Sequence, residues 1–82
     1  MVPVSHRAID ARGLFCPMPV IRVQDALKEM APGDTAELVA TDPGALNDVT
    51  AWCRVHGHRV VATEQDDGEV RIRIEVGGHA GT

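Results

Sequence analysis

The sequence predicts an α+β fold, a two-layer α/β sandwich, from three observations. The hydrophobic period changes along the chain from two, typical of strands, to about 3.6, typical of helices, and back. Turn-forming residues separate the periodic segments in the order β-α-β-α-β-β. The last segment, EVRIRIEV, alternates without exception, so one face of the sheet meets water. Both helices should therefore cover the other face of a four-stranded mixed sheet.

The first half of the chain predicts one strand and one helix. Residues 6–11 alternate as a strand does, and Gly13 ends it. Apolar residues recur at helical spacing from Met18 to Met30. Pro17 and Pro19 fall in the first turn of this helix, where a backbone N–H has no intrahelical acceptor.

The second half predicts a strand, a helix and a hairpin. Residues 35–41 form the strand, Asp42 is a good helix N-cap and Pro43 a good first helical residue. Gly57 is placed to close the helix in a left-handed turn. Strands over 58–64 and 69–76 are then joined by Asp66-Asp67-Gly68, a hairpin signal. We expect one domain over residues 1–82, with its core within 6–76 and a flexible tail at 77–82.

Composition narrows the class of function. The net charge of −4 argues against direct nucleic-acid binding, because phosphate contacts need a basic surface. No apolar stretch is long enough to span a membrane, and the N-terminus has no signal-peptide core. Two cysteines 37 positions apart do not make a disulfide scaffold. We therefore expect a cytoplasmic, monomeric protein without a cofactor.

The stretch GLFCPMP places Cys16 at the start of the first helix. The unpaired N–H groups and the positive end of the helix dipole favour an anion there and lower the pKa of a thiol. Pro17 and Pro19 stiffen the segment and bias the residues before them, Cys16 and Met18, toward extended conformations. This pattern indicates a thiolate held in a fixed direction.

A single thiolate limits the chemistry. Cys16 has no second cysteine nearby, and no histidine can be placed beside it as a base, so a CxxC couple and a protease-like site are both disfavoured. The chemistry that remains possible is transfer of a group carried on the thiol, such as persulfide sulfur. The alternative is that Cys16 is a small buried hydrophobic residue, as free cysteine often is.

The segment IDARGLFCPMPVIRVQDALKEM resembles the signature of the TusA-like (SirA-like) sulfur-carrier family, with its Cys-Pro-x-Pro at Cys16–Pro19. Asp10-x-x-Gly13 and Asp42-Pro43 follow the same pattern, and the resemblance extends over about residues 8–76. It implies the βαβαββ sandwich. It also implies that Cys16 takes persulfide sulfur from a cysteine desulfurase or a rhodanese and relays it to an acceptor sulfurtransferase. Branches of the family serve tRNA thiolation, molybdenum-cofactor synthesis and sulfur oxidation.

Two residues depart from the better-known members that thiolate tRNA. Met18 stands where these often carry Glu, which argues against the tRNA branch, and Phe15 stands where many relatives carry Arg. Phe15 and Met18 together suggest an apolar rim on which a partner protein docks, with Arg12 beside it. The alternative is that Phe15 packs into the core.

Residues around the cysteine are assigned supporting roles. Asp10 is expected to anchor the loop backbone, with proton transfer at the thiol as the alternative. Gly13, Pro17 and Pro19 are expected to hold the loop geometry.

Other candidate residues favour structural roles. Cys53 lies on the apolar face of the second helix and is expected to fill the core, although a Cys16–Cys53 redox pair is an alternative. His56-Gly57-His58 has too few ligands for a metal site. Arg71 and Arg73 are expected to be solvated.

Two other classes of function compete with the sulfur carrier. The first is a regulatory or redox-sensing interaction module with a non-carrier cysteine. The second is a thiol-disulfide reductase that uses Cys16 and Cys53. Thiol reactivity separates these classes, because a carrier thiol should alkylate at mildly acidic pH and a buried thiol only on unfolding.

Overall fold

The structure, a computed structural model, describes residues 6–15 and 17–77. Cys16 and the segments 1–5 and 78–82 lie outside the described residues. The predicted order βαβαββ is confirmed. The elements are β1 (His6–Ala11), α1 (Met18–Leu27), β2 (Thr35–Ala40), α2 (Ala45–Val55), β3 (Arg59–Asp66) and β4 (Glu69–Glu75).

The four strands form one mixed sheet in the order β1-β2-β4-β3. β1 runs parallel to β2, whereas β4 is antiparallel to both β2 and β3. Ile9, Leu38 and Ile72 stand side by side in this register and are all buried. The period-two pattern of each strand therefore places one apolar row on a common inner face.

Both helices cover that inner face, as the sequence predicted. Their inward residues are buried against the sheet, and the outer face carries cross-strand pairs of opposite charge such as Arg73 and Glu37, 3.7 Å apart. Burial of each large aliphatic side chain stabilises the fold by roughly 1.5–3 kcal/mol. The helical residues of the core are Pro19, Val23 and Leu27 from α1 and Ala45, Val49 and Cys53 from α2.

The two helix boundaries that differ from the prediction differ for local reasons. α1 ends at Leu27, because the N–H groups of Glu29 and Met30 bond the carbonyls three residues back in tighter turns. α2 begins at Ala45 with Gly44 as its N-cap, so the prediction that Asp42 is the N-cap was wrong. No helix in the described part of the chain has the length and hydrophobicity needed to cross a membrane.

The hairpin between β3 and β4 has the predicted turn. Asp67 and Gly68 both adopt positive φ, 54° and 83°, as a two-residue type I′ turn requires. Pairing continues up to Asp66 opposite Glu69, and β3 is therefore longer than predicted. A register shift between Val60 and Ala62 places a β-bulge in this edge strand.

Two glycines meet where β4 ends. Gly57 has a φ of 80° and closes α2 as predicted. The N–H of Gly77 donates to Nδ1 of His58 at 3.0 Å, so Gly77, which we assigned to the tail, is held against the domain. A Cβ on Gly77 would collide with the carbonyl oxygen of Gly57. Only glycine fits at residue 77 without a shift of the backbone.

Candidate functional site

The segment between β1 and α1, residues 12–17, is called the thiol loop here, and Cys16 belongs to it. Cys16 itself lies outside the described residues, so its predicted role stays a prediction. The described residues fix the start of the loop. The N–H of Leu14 donates to the Ala11 carbonyl at 3.3 Å, and Gly13 has a φ of 79°, which only glycine adopts at low cost.

A hydrogen bond from the next strand also holds the loop. The N–H of Gly13 donates to Oγ1 of Thr41 at 2.9 Å, directly after the end of β2. β1 and β2 are parallel, so their carboxyl ends lie at the same edge of the sheet. The thiol loop is therefore tied to the scaffold at a second point, a contact that the sequence did not reveal.

Asp10 anchors the start of the thiol loop. Its Oδ1 accepts hydrogen bonds from the backbone N–H of Arg12 at 3.1 Å and from Nε of Arg12 at 2.9 Å. Its Oδ2 accepts a third from Nη2 at 3.1 Å. These side-chain and backbone hydrogen bonds lower the pKa of Asp10 to about 2. Asp10 is therefore ionised at neutral pH, which favours the anchoring role over proton transfer.

Arg12, which we grouped with the docking residues, is already engaged. Besides its bonds to Asp10, its Nη1 lies 4.0 Å from Oε2 of Glu69 on β4. The hydrogen bond and charge of Asp10 raise the pKa of the Arg12 guanidinium. The side chain bridges the loop to the sheet, and this geometry suits a brace.

Pro19 lies in the first turn of α1 as predicted, whereas Pro17 lies one position before that turn. Pro17 is the N-cap residue, and Pro19 is the second helical residue and is buried. Met18 was expected to be extended, but it is the first helical residue, and its N–H donates to the Phe15 carbonyl at 2.8 Å. Helical geometry at Met18 sacrifices no hydrogen bond at Pro19, since proline has no N–H to donate.

The start of α1 carries no competing charge. Among the described residues no side chain caps this helix, and its first turn contains no acidic residue. The thiol loop directly precedes α1, so it faces the positive end of the helix dipole, and no carboxylate in the first turn offsets that charge. An anion placed at the loop would be stabilised there.

An apolar surface surrounds the loop. Phe15 is 76% exposed, which decides against the alternative that it packs into the core. Met18 and Ile21 are each 39% exposed and lie one helical turn apart on α1. We call Phe15, Met18 and Ile21 the loop patch. Ile21 was not predicted from the sequence, although its i+3 spacing from Met18 was a usable signal.

Cys53 fills the core, as expected. It is 1% exposed, and burial raises the pKa of its thiol to about 11. It lies eight residues into α2, about 12 Å along the helix from its start. Both helices start at the same edge of the sheet, so this depth disfavours a disulfide with a residue of the thiol loop, which would need Cα atoms within about 7 Å.

The remaining candidates have structural contacts. His56 and His58 both lie against Trp52, with ring centroids 4.6 and 5.2 Å away. In residues 6–15 and 17–77 no three metal-binding side chains come together. Arg71 lies 3.5 Å from Glu69 on the outer face of the sheet, where its charge is solvated.

The fold and the loop together define a class: a small α+β protein that presents a braced loop at a helix N-terminus. Comparisons with known proteins identify the family. The sequence profile described as Sulfurtransferase TusA matches residues 7–76. The chain therefore belongs to the TusA family.

Relatives in two bacteria extend this finding. YrkI of Bacillus subtilis, a proposed sulfur carrier protein, is 42% identical over 66 residues, which cover 80% of this chain and 87% of YrkI. A proposed sulfur carrier protein of Neisseria meningitidis serogroup A is 38% identical over 72 residues, covering 88% and 97% of the two chains. Membership and these relatives support a sulfur-carrier role.

A solved structure supports the architecture. The crystal structure of a SirA-like protein from Desulfitobacterium hafniense superposes with a TM-score of 0.77 at 28% sequence identity. The match covers 87% of this chain and 97% of that chain. The predicted SirA-like fold is confirmed.

Proposed function

We propose that the chain is a sulfur carrier whose Cys16 accepts persulfide sulfur from a donor protein and hands it to an acceptor sulfurtransferase. The observation that carries the proposal is the braced thiol loop. It is tied down through Asp10 and through the Gly13–Thr41 hydrogen bond, and it precedes a helix whose first turn lacks acidic residues.

The proposed transfer consists of two displacements at sulfur. The Cys16 thiolate attacks the terminal sulfur of a donor persulfide, a new S–S bond forms, and the donor cysteine leaves as a thiolate with the electron pair of the broken bond. The acceptor thiolate then attacks the terminal sulfur on Cys16, and the Cys16 thiolate leaves. No net oxidation occurs, and neither step needs a cofactor.

The helix N-terminus would assist both displacements. It stabilises the Cys16 thiolate before attack and again when it leaves, because the dipole and the backbone N–H groups favour negative charge. Pro17 and Pro19 limit the motion of the loop, so less conformational entropy is lost when the sulfur is aligned with its partner.

The loop patch is proposed as the docking surface for donor and acceptor. Three exposed apolar side chains around one loop favour contact with an apolar rim on a partner protein. Arg12 acts in this proposal as a positioning residue, since Asp10 and Glu69 hold its guanidinium. The donor is a cysteine desulfurase or a rhodanese.

Met18 bears on the pathway. A thioether in place of the Glu of the tRNA-thiolation members removes a docking charge and leaves a soft apolar surface. We therefore favour molybdenum-cofactor synthesis or sulfur oxidation over tRNA thiolation. The proposal includes a single-domain monomer that works in the cytoplasm as a component of a relay and binds neither nucleic acid nor membrane.

The test is the intact mass of the protein after incubation with a cysteine desulfurase and L-cysteine, and separately with a rhodanese and thiosulfate. We expect a gain of one sulfur atom that a reductant removes, in the wild type and in every variant that retains Cys16. Cys16→Ser should abolish loading, and Cys53→Ser should leave it unchanged.

Three outcomes would contradict the proposal. Equal sulfur loading of the Cys16→Ser variant would show that Cys16 is not the residue that carries the sulfur. Absence of loading with both donors would favour the regulatory or redox-sensing module. An internal disulfide after mild oxidation would instead indicate the reductase.

A further inference from the structure

A groove separates the C-terminal halves of the two helices. Its volume is about 390 Å³, and its α2 side is formed by Trp52, His56 and His58. The α1 side is formed by Gln24, Leu27, Lys28 and Met30. α1 is about 15 Å long, so the groove lies at the opposite end of that helix from the thiol loop.

The α2 side of the groove is an ordered aromatic wall. The ring of His58 lies 5.2 Å from that of Trp52 and within 21° of parallel, and His56 lies 4.6 Å away at 31°. The Gly77 N–H holds Nδ1 of His58 and so fixes the orientation of that ring. Leu27 and Met30 give the opposite side an apolar surface, and the Met30 thioether suits contact with an aromatic ring.

The charge at the groove is positive. Lys28 is the only lysine of the chain, and it makes no ion pair within residues 6–15 and 17–77. None of the lining residues is acidic, although the protein carries a net charge of −4. Two acidic residues lie near Lys28 in the chain, Asp25 and Glu29; both line a different concavity, which Arg7 and Arg22 share, and Glu29 is paired with Arg7 at 3.0 Å. An anion would therefore meet an available cation here.

We propose that this groove binds a small planar aromatic carboxylate. The ring would lie between the aromatic wall and Met30, and the carboxylate would pair with the ammonium group of Lys28. The volume is within the range of small-molecule sites, about 300–1,000 Å³, and a mainly apolar lining with a few polar groups is typical of them. Flat rings suit a wall of stacked rings better than branched aliphatic acids do.

The proposal is independent of the proposed sulfur transfer. None of the lining residues belongs to the thiol loop or the loop patch, and no covalent step is involved. A Cys16→Ser variant should therefore bind the carboxylate as the wild type does. Failure of sulfur loading would leave this binding result untouched, and the reverse also holds.

Trp52 supplies the readout, because it is the only tryptophan of the chain and it lines the groove. We would titrate the protein with 2-naphthoate, follow Trp52 fluorescence and confirm the affinity by calorimetry. A ligand of this size is expected to bind with a Kd on the order of 1 mM or tighter. The neutral isostere 2-naphthamide should bind about fivefold more weakly, as loss of one exposed ion pair predicts.

Two variants separate the groove from non-specific charge effects. Lys28→Gln should weaken naphthoate binding about fivefold and remove the preference for naphthoate over naphthamide. Arg22→Gln also removes an exposed cation of α1, but one outside the groove, and should change nothing. Absence of any Trp52 response at several millimolar, equal binding of the amide, or equal weakening in both variants would overturn the proposal.

Discussion

The two helices start at the same edge of the sheet, after parallel strands, yet their starts are built differently. Each is preceded by an aspartate that accepts the N–H two residues on: Asp10 from Arg12 at 3.1 Å, and Asp42 from Gly44 at 3.2 Å. The first turn of α2 also contains Asp48, whereas the first turn of α1 contains no acid. The two helix starts therefore share the aspartate turn but differ in the charge of the first helical turn.

This difference leaves the two helix starts with different electrostatic environments. A carboxylate in the first turn of α2 complements the dipole within the chain itself. At α1 that complement is missing among the described residues, and the residue that precedes the N-cap Pro17 is a cysteine. Two features therefore distinguish the start of α1: a cysteine precedes it in the sequence, and its first turn contains no acidic residue.

The largest expected effect separates the cysteine beside α1 from the cysteine within α2. At pH 7 a thiol with a pKa of about 11 is roughly one part in ten thousand thiolate, and thiolate forms at Cys53 only as the pH rises toward that value. Cys16 should be at least a few per cent thiolate. Pulsed alkylation with iodoacetamide, read by peptide mass spectrometry, should therefore label Cys16 at least about 100-fold faster.

Unfolding the protein in denaturant is the control, since it should bring the two rates close together. Two results would show that the start of α1 does not activate its cysteine. One is equal labelling of the two cysteines in the folded protein. The other is a pH dependence of Cys16 alkylation whose midpoint lies above the free thiol pKa of about 8.5.

The next effect concerns exposed apolar side chains on the two helix regions. Phe15→Ser should lower the second-order rate of sulfur loading from a persulfidated donor about tenfold, because a buried aromatic anchor in an interface contributes on the order of 1–2 kcal/mol. Val55→Ser is the matched control, since Val55 on α2 is 78% exposed and Phe15 is 76% exposed. Alkylation by a small reagent should be unchanged in both variants, and an equal loss of loading in both would refute the loop patch as the docking surface.

A smaller effect is expected from the anchor of the thiol loop. Asp10 has its pKa lowered from 3.8 to about 2 in the folded protein, so its stabilising contribution is complete above about pH 5 and is lost as the pH falls through this range. Asp10→Asn should lower Tm at neutral pH, and its difference from the wild type should shrink between about pH 4 and 2. A difference in Tm that is constant with pH would mean that the ion pair with Arg12 does not stabilise the fold.

The smallest effect comes from giving α1 the acid that α2 has. Met18→Asp should raise the pKa of the Cys16 thiol by about 0.2–0.7 units relative to Met18→Asn, which corresponds to the 0.3–1 kcal/mol of a charge at a helix end. The two variants differ only in charge, so pH-dependent alkylation of each isolates the electrostatic contribution. Identical profiles would show that a charge in the first turn of α1 does not reach the thiol.

Much of the fold could be predicted because its signals are local. The alternation in β4 identified Val70, Ile72 and Ile74 as inward residues, and all three are buried. The hairpin turn followed from Asp67-Gly68, whose positive φ values few other residue pairs accept. In both cases the sequence pattern and the backbone constraint involve neighbouring residues.

The errors and omissions arose where local signals compete or where contacts are distant. Asp42 is an acceptable N-cap, but its carboxylate satisfies the Gly44 N–H in a turn before the helix begins. The Thr41 bond to Gly13 joins residues 28 apart, and no periodic pattern encodes it. Whether Phe15 faced solvent or core depended on the packing of α1, which periodicity alone does not fix.

The bulge in β3 has a consequence for how the protein associates with other chains at high concentration. Between Val60 and Ala62 the edge strand loses its register, so its outward row of hydrogen-bonding groups is interrupted. A strand from another molecule that tried to extend the sheet would find no continuous template along this side. The sheet can thus keep β3 as an open edge without offering it as a site for strand-by-strand polymerisation.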